Sequence, residues 1–304
     1  MRLIQFEVLR RPLPSRAALQ LDLQNIIDAA YPNFGKVEFF GSTVNNLGFG
    51  DADVDVTILV NDHRITDHPL FDPRKLGKLL RKKRFHSVVP ICRARVPIVK
   101  CYSSRFRCEL DINVGYCLGF YNSKLIHAYT LLDVRVKPLI CLVKFWNNSE
   151  GNIFTSYALS LMIISFLQDR KILPSIQLSY TGEPDLISVP VSRNRNQTEL
   201  DISFDSSAQR NEFPEKDIWD PQNGVPFLLV SFMRYFANEF TYTSNSWVCI
   251  KKGGIFHNQP FFDSCSSRKL VVIDPFLRDR NCTKAIDIYV AKKAFQRFMA
   301  DFRK

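Results

Sequence analysis

Residues 39–60 read FFGSTVNNLGFGDADVDVTILV, and no other stretch constrains the fold as much. A Gly-Ser pair, Gly41 and Ser42, closes a strand; a glycine-spaced loop follows; Asp53 and Asp55 then alternate with valines on a β-prone run. Side chains i and i+2 of a strand share a face, so both carboxylates point one way while Val54 and Val56 point into a core. Two like charges on one small patch repel, and a divalent cation is the usual remedy. Taken alone, Asp-x-Asp also fits a surface strand with solvated aspartates. The Gly-Ser turn ahead of it, with backbone N–H groups and a hydroxyl to offer to phosphate oxygens, favours a phosphate-and-metal site.

Periodicity on either side sets the fold class. Residues 15–31 predict an amphipathic helix with Ser15 as its N-cap and Leu19, Leu23, Ile26, Ile27 and Ala30 on one face. Period-two runs follow at 37–40, 54–60, 96–102 and 108–114, the last two spaced as a hairpin, with one basic helix at 73–84 between them. After Gly119 the apolar spacing turns helical over 123–132, 133–146, 155–169, 225–240 and 287–302, with Pro138 expected to split its segment into a turn and a longer helix. Residues 192–221 are polar and aperiodic and read as a long loop or partly disordered insert. The expected architecture is α+β. A small mixed α/β domain, residues 33–118, packs on a larger mainly helical domain, residues 1–32 plus 119–304.

The 304 residues are 46% hydrophobic, ample for more than one core, and 41 Lys and Arg against 30 Asp and Glu give a formal charge of +11. That excess favours a polyanionic partner. No apolar run approaches the ~20 residues of a membrane helix, and MRLIQFEVLRRPLPSR lacks a secretory h-region, so an intracellular, cytoplasmic protein is expected. Eight scattered cysteines without CxxC or histidine spacing argue against structural zinc.

A third carboxylate completes the pattern. On the run at 108–114, Leu110, Ile112 and Val114 share one face; Glu109, Asp111 and Asn113 share the other. If that strand neighbours residues 54–60, Asp111 joins Asp53 and Asp55, and three carboxylates suit two-metal phosphoryl transfer. Glu109 and Asn113 read as solvated polar residues without a role.

The order Gly41-Ser42, Asp53-x-Asp55, Asp111 resembles the DNA polymerase beta-type nucleotidyltransferases. The helical half narrows this: YNS (121–123), DVRVKP (133–138), LVKFW (142–146), TSYAL (155–159) and IDPF (273–276) are similar to terminal uridylyltransferases and the related cytoplasmic poly(A) polymerases. The resemblance implies a bilobal enzyme with its active site in the cleft between domains. Asp53, Asp55 and Asp111 would hold Mg²⁺ (or Mn²⁺), and Ser42 would touch the triphosphate. Asn122 would meet the ribose 2′-OH with Ser123 beside it; Lys144 would contact the phosphates, assisted by Ser156. Tyr157 would stack on the base, and Asp274 would lie at its edge. Outside that context Lys144 reads as a snorkelling lysine, Tyr157 as a core aromatic and Asn122 as a helix cap.

Two departures from the family pattern matter. Asn148 stands where a second phosphate-binding lysine often lies, and Arg280 stands at the position of a uracil-selecting histidine. Arginine donates to a carbonyl oxygen such as uracil O4 and cannot accept from the adenine amino group. The stretch at 39–54 looks especially like the catalytically degenerate module of large animal uridylyltransferases, yet Asp55 is intact here. The function expected is template-independent transfer of UMP from UTP to an RNA 3′ end. The alternatives are ATP as donor, a poly(A) polymerase, or a catalytically weak RNA- or protein-binding module. Lys75–Arg84 with Arg93, Arg95, Lys100, Arg105 and Arg107 would track the RNA backbone. No RNA-recognition motif accompanies the core, which leaves target choice loose or in the hands of a recruiting RNA-binding protein. Trp247 and Phe261-Phe262 would stack bases or pack in the core.

Overall fold

The structure, a computed structural model, describes residues 16–45, 47–48, 53–61, 67–190, 197–243, 245–257 and 268–302. The chain begins with α1 (Arg16–Ala30), β1 (Gly35–Phe40), the short α2 (Ser42–Asn45) and β2 (Val54–Val60). It continues through α3 (Pro73–Lys82), β3 (His86–Ile91), β4 (Ile98–Ser103), β5 (Cys108–Val114) and α4 (Leu118–Leu132). Then come α5 (Val136–Ser149), α6 (Ser156–Asp169), β6 (Leu186–Pro190), β7 (Gln197–Asp201) and α7 (Val225–Arg234). The last elements are β8 (Trp247–Cys249), β9 (Gly254–Phe256) and α8 (Ile288–Asp301). Two compact units result: Met1–His127 with Asp185–Ile202, and Ala128–Pro184 with Ser203–Lys304.

In the first unit five strands form one sheet in the order β1-β2-β5-β4-β3. Only β2 and β5 run parallel, joined through α3 and the β3–β4 hairpin. Val54, Val56 and Ile58 pair with Leu110, Ile112 and Val114, so this face is continuous and apolar. It shares one core with Leu19, Leu23 and Ile27 of α1 and with Leu76 and Leu80 of α3. Helix α3 is stopped at its start by Asp72, whose carboxylate accepts from the Arg74 N–H at 2.9 Å. Its basic residues Arg74, Lys75, Lys78, Arg81 and Lys82 stay exposed.

The division differs from the expected one at residues 119–127 and 185–202, which cluster with the first unit, and at α1, which packs on the sheet rather than with the helical half. The physical reason for α1 lies on the same helix. Gln24 accepts from Val37 N at 2.7 Å and donates to Gly35 O at 3.0 Å, while Gln20 donates to Val37 O at 2.7 Å. These glutamines satisfy the outer backbone groups of β1, an edge strand. The proposed cap Ser15 lies outside the described residues. Strand β3 was not expected; Pro90 is tolerated in it because β3 is the other edge.

The second unit is built on α6, whose residues from Ala158 to Gln168 are all buried. A helix apolar on every side belongs at the centre of a core. Around it, Trp146 of α5 stacks on Phe295 of α8 at 5.0 Å, and Phe166 meets Phe232 of α7 edge-on at 5.4 Å. The segment at 133–146 divides as expected into a turn at 134–135 and the helix α5, and Pro138 falls in the first turn of α5, where a missing N–H leaves no bond unmade. Helix α7 runs on through a π-helical turn at Tyr235–Glu239. Trp247 is 2% exposed and stacks on Phe256 at 4.1 Å, so it packs in the core; Phe261-Phe262 lie outside the described residues. The stretch at 197–221 is more ordered than its composition predicts, since β7 pairs with β6. Of the cysteines, the seven described are free thiols.

Candidate active site

Cross-strand register creates the site. Asp55 of β2 stands opposite Asp111 of β5, and Asp111 stands opposite Lys100 of β4. Paired residues of adjacent strands project to the same side of a sheet, so these three side chains form a row, with Asp53 two residues before Asp55. This row lies on the face opposite the apolar core, as the strand phase predicts. The Lys100 ammonium is 2.8 Å from Asp111 Oδ2 and 3.3 Å from Asp53 Oδ2.

The electrostatics follow from crowding. Burial pushes the Asp55 carboxyl from 3.8 up to about 7, Asp111 and then Asp53 add to the rise, and Lys100 opposes it. The same carboxylates raise the Lys100 ammonium, its hydrogen bond to Asp111 first. Among the described residues no group of three His, Cys, Asp or Glu side chains is gathered closely enough to hold an ion as it stands. The donor chemistry still suits Mg²⁺ or Mn²⁺: three hard carboxylate oxygens on one face, with more negative charge than Lys100 balances.

The Gly-Ser turn is used differently from the expectation. Gly41 has φ +66°, and its N–H donates to Ser123 Oγ at 2.7 Å; Ser123 in turn donates to Gly119 O at 2.7 Å. The Gly41 N–H is therefore spent on α4 and not offered to phosphate. Ser123, expected beside a ribose, also clamps the turn. A Cβ on Gly41 would sit 2.2 Å from Asp55 Oδ2. Gly41→Ala is accordingly expected to displace that carboxylate and lower kcat on the order of tenfold or more. The left-handed backbone adds about 1 kcal/mol of destabilisation, read by urea titration beside steady-state kinetics.

Ser42 opens α2 and is partly exposed, and Asn122 is buried on α4. Asn113, read as solvated, is buried: Thr57 donates to its Oδ1 at 2.8 Å and the Tyr116 N–H at 3.3 Å. Thr57 is its cross-strand partner, a tertiary fact the β5 sequence does not carry.

The remaining candidates belong to the second unit. Asp274 is buried and gathers two of them: Tyr157 OH donates to its Oδ2 at 3.3 Å and Arg280 Nη1 reaches the same oxygen at 3.3 Å. Its Oδ1 accepts from the N–H groups of Phe276 and Leu277, which fixes the IDPF turn. Burial raises the Tyr157 phenol well above its ordinary range, with Asp274 adding. Lys144 is buried on α5, and that burial lowers its ammonium, unlike a snorkelling lysine. Ser156 starts α6 and is exposed, beside the cap Thr155, which accepts from the Ala158 N–H at 3.2 Å. Lys100 is the site residue that sequence reasoning placed elsewhere, among RNA-tracking cations; its signal was the hairpin register with Asp111.

A mixed sheet carrying acidic residues in register on adjacent parallel strands is the arrangement that the likeness to nucleotidyltransferases implies. Residues 4–131 match the family described as poly(A) RNA polymerase, mitochondrial-like, central palm domain. Over 96% of its length the chain is 30% identical to poly(A) RNA polymerase cid13 of Schizosaccharomyces pombe, of which it spans 50%. It is 34% identical over 182 residues to human terminal uridylyltransferase 7, covering 56% of this chain and 12% of that protein. A solved structure of Cid1 poly(U) polymerase with MgGTP bound superposes with a TM-score of 0.74, at 20% identity, over 95% of this chain and 88% of that one. The chain is thus similar to poly(A) RNA polymerases and to a terminal uridylyltransferase, and it spans about half the length of the curated relatives cid13 and cid11.

Proposed function

We propose that this chain catalyses template-independent nucleotidyl transfer to RNA 3′ ends, with UTP as donor. The observation that carries the proposal is the register of Asp55 with Asp111 across β2 and β5, with Asp53 on the same face. In this reading the RNA 3′-OH gives up its proton to the Asp111 carboxylate as its oxygen attacks the α-phosphorus, and the bond to the leaving pyrophosphate breaks. Mg²⁺ (or Mn²⁺) held by Asp53, Asp55 and Asp111 would acidify the hydroxyl and neutralise the pyrophosphate charge. Ser42 and Lys144 are the proposed phosphate contacts, with Ser156 assisting; Asn122 is proposed for the ribose. Ser123 holds the Gly41 turn. Tyr157 is proposed to present its ring to the base.

The preference for UTP rests on Arg280. Its guanidinium is anchored on Asp274 and carries only donors, which suits uracil O4 and not the adenine amino group. Relatives named poly(A) RNA polymerases favour the second reading, ATP as donor. Purified protein, a labelled RNA and each nucleotide in turn separate them: UTP extension is expected, and predominant ATP incorporation would overturn the base choice. RNA binding without incorporation of any nucleotide would favour a binding module. Arg280→Ala is expected to lower the UTP-to-ATP ratio of kcat/KM roughly tenfold, the scale of one lost discriminating hydrogen bond.

The exposed basic face of α3 supports an RNA partner. A GLD-2/RNP-8 complex among the similar structures supports a recruiting protein. Among the described residues no helix is long and apolar enough to cross a membrane. A cytoplasmic location is part of the same proposal, supported by likeness to a structure described as a cytoplasmic RNA terminal U-transferase.

A further inference from the structure

The carboxylates proposed to bind metal already share a cation. Lys100 Nζ lies 2.8 Å from Asp111 Oδ2 and 3.3 Å from Asp53 Oδ2, bridging acids that come from two strands. Register holds it there: Lys100 pairs with Asp111 across β4 and β5, which sends its side chain up the acidic face. An ammonium and a divalent cation seek the same oxygens, and both cannot occupy them at hydrogen-bond and coordination distance. Lysine differs from a metal in being tethered. Its four-carbon stem is flexible, and the Lys100 side chain is 44% exposed, so it has solvent to withdraw into.

We infer that Lys100 is an exchangeable internal counter-cation: it bridges Asp53 and Asp111 before a divalent ion arrives, and it must withdraw for that ion to bind. The inference rests on the metal reading of the three aspartates. It makes Lys100 a positioning residue that holds the acids in place and sets a threshold for metal entry. Unlike a phosphate-binding lysine, its removal strengthens one of the enzyme's binding steps.

Mn²⁺ alone serves as the probe, with free ion counted by electron paramagnetic resonance on nucleotide-free protein. Wild type is compared with Lys100→Met, which keeps the stem and loses the charge, and with Lys100→Arg, which keeps the charge. Lys100→Met is expected to bind Mn²⁺ about fivefold to tenfold more tightly. Its metal-free melting temperature should fall, and saturating Mn²⁺ should raise it more than it raises wild type. Lys100→Arg should bind no more tightly than wild type. A merely structural lysine would give weaker Mn²⁺ binding on removal. Unchanged or weakened affinity in Lys100→Met, with wild type binding normally, overturns the exchange alone. No Mn²⁺ bound by any of the three proteins overturns the metal reading and the exchange with it. Tightening by both variants would show that the charge is not the cause, and would also sink it; Lys100→Gln, which also removes the charge, takes the place of Lys100→Met where that variant folds poorly and carries the same expectation.

Discussion

Asp55→Asn is expected to reduce RNA extension on the order of a thousandfold or more, while the metal-free protein becomes more stable at pH 8. The loss follows from position: Asp55 is the central carboxylate of the row, opposite Asp111 and two residues from Asp53. An amide of the same shape cannot supply a charged ligand, and effects of that size accompany removal of a principal electrostatic stabiliser. The gain in stability follows from the pKa. The carboxyl moves from 3.8 up to about 7 in the fold, through burial first and then through Asp111 and Asp53. A folded-state value above the unfolded one means that the associated stability is complete below about pH 4. It is lost as pH rises through about 7. At pH 8 the wild type therefore carries a buried, repelled negative charge that the amide variant lacks. The full shift corresponds to about 4 kcal/mol at ~1.4 kcal/mol per pH unit; partial exposure brings the expected gain nearer ~2 kcal/mol. Thermal melts in chelator at pH 5 and pH 8 check the sign. Variant and wild type should lie closer at pH 5 and separate by several degrees at pH 8. Extension at wild-type rate, or a variant that melts lower at pH 8, would sink the assignment.

The acidic half of this site was legible because a strand's period is two. The alternation at 54–60 and 108–114 gave β2 and β5 to the residue, and the same phase put Asp53, Asp55 and Asp111 on polar faces. Adjacency of the two strands is a tertiary fact, and so is everything that depends on it. Lys100 read as one basic residue among many until its register with Asp111 was known. Asn113 read as solvated because nothing in its own strand shows Thr57 beside it. Strand β3 is not legible in the sequence because its HSVVPI run lacks strict alternation and Pro90 removes a ladder donor. Helix α1 has an ordinary amphipathic pattern, and what assigns it to the sheet is tertiary: Leu19, Leu23 and Ile27 in the sheet's core, and Gln20 and Gln24 reaching β1. In the second unit the IDPF stretch marked Asp274. That Tyr157 and Arg280 meet on one of its oxygens required the folded chain.

Arg135→Ala is expected to cost about 3–5 kcal/mol of stability, the range for stranding one charge of a buried pair. The DVRVKP stretch gave no sign of this role beyond family likeness. Arg135 donates from Nε to Asp133 Oδ1 at 3.0 Å and from Nη2 to Oδ2 at 2.8 Å, a two-pronged pair with side chains 8% and 0% exposed. The Arg135 N–H also donates to Asp133 Oδ1 at 2.8 Å. The guanidinium then ties distant chain: Nη1 donates to Asn223 O at 2.9 Å, and its plane covers the Phe213 ring at 3.8 Å. Nearby, the Asn211 N–H donates to Leu132 O. The polar, aperiodic residues around 211–223 are thus pinned to the start of α5, which is why a stretch with so little apolar content is ordered. Alanine removes the guanidinium's contacts with Asp133, Asn223 and Phe213, keeps the backbone N–H bond to Asp133, and leaves that carboxylate buried without its ion partner. Lysine restores the charge but neither the paired geometry nor the stacking, so Arg135→Lys should recover less than half of the loss. Asp133→Asn with Arg135→Met removes both charges and should lie closer to wild type than Arg135→Ala does. Urea unfolding midpoints for the four proteins decide it, together with limited proteolysis at 205–223. A loss in Arg135→Ala below about 1 kcal/mol, or a cleavage rate unchanged at 205–223, would mean that the pair does not hold this segment. If instead both respond while Lys144, further along α5, still supports extension at low temperature, stability and catalysis in this helix are separable.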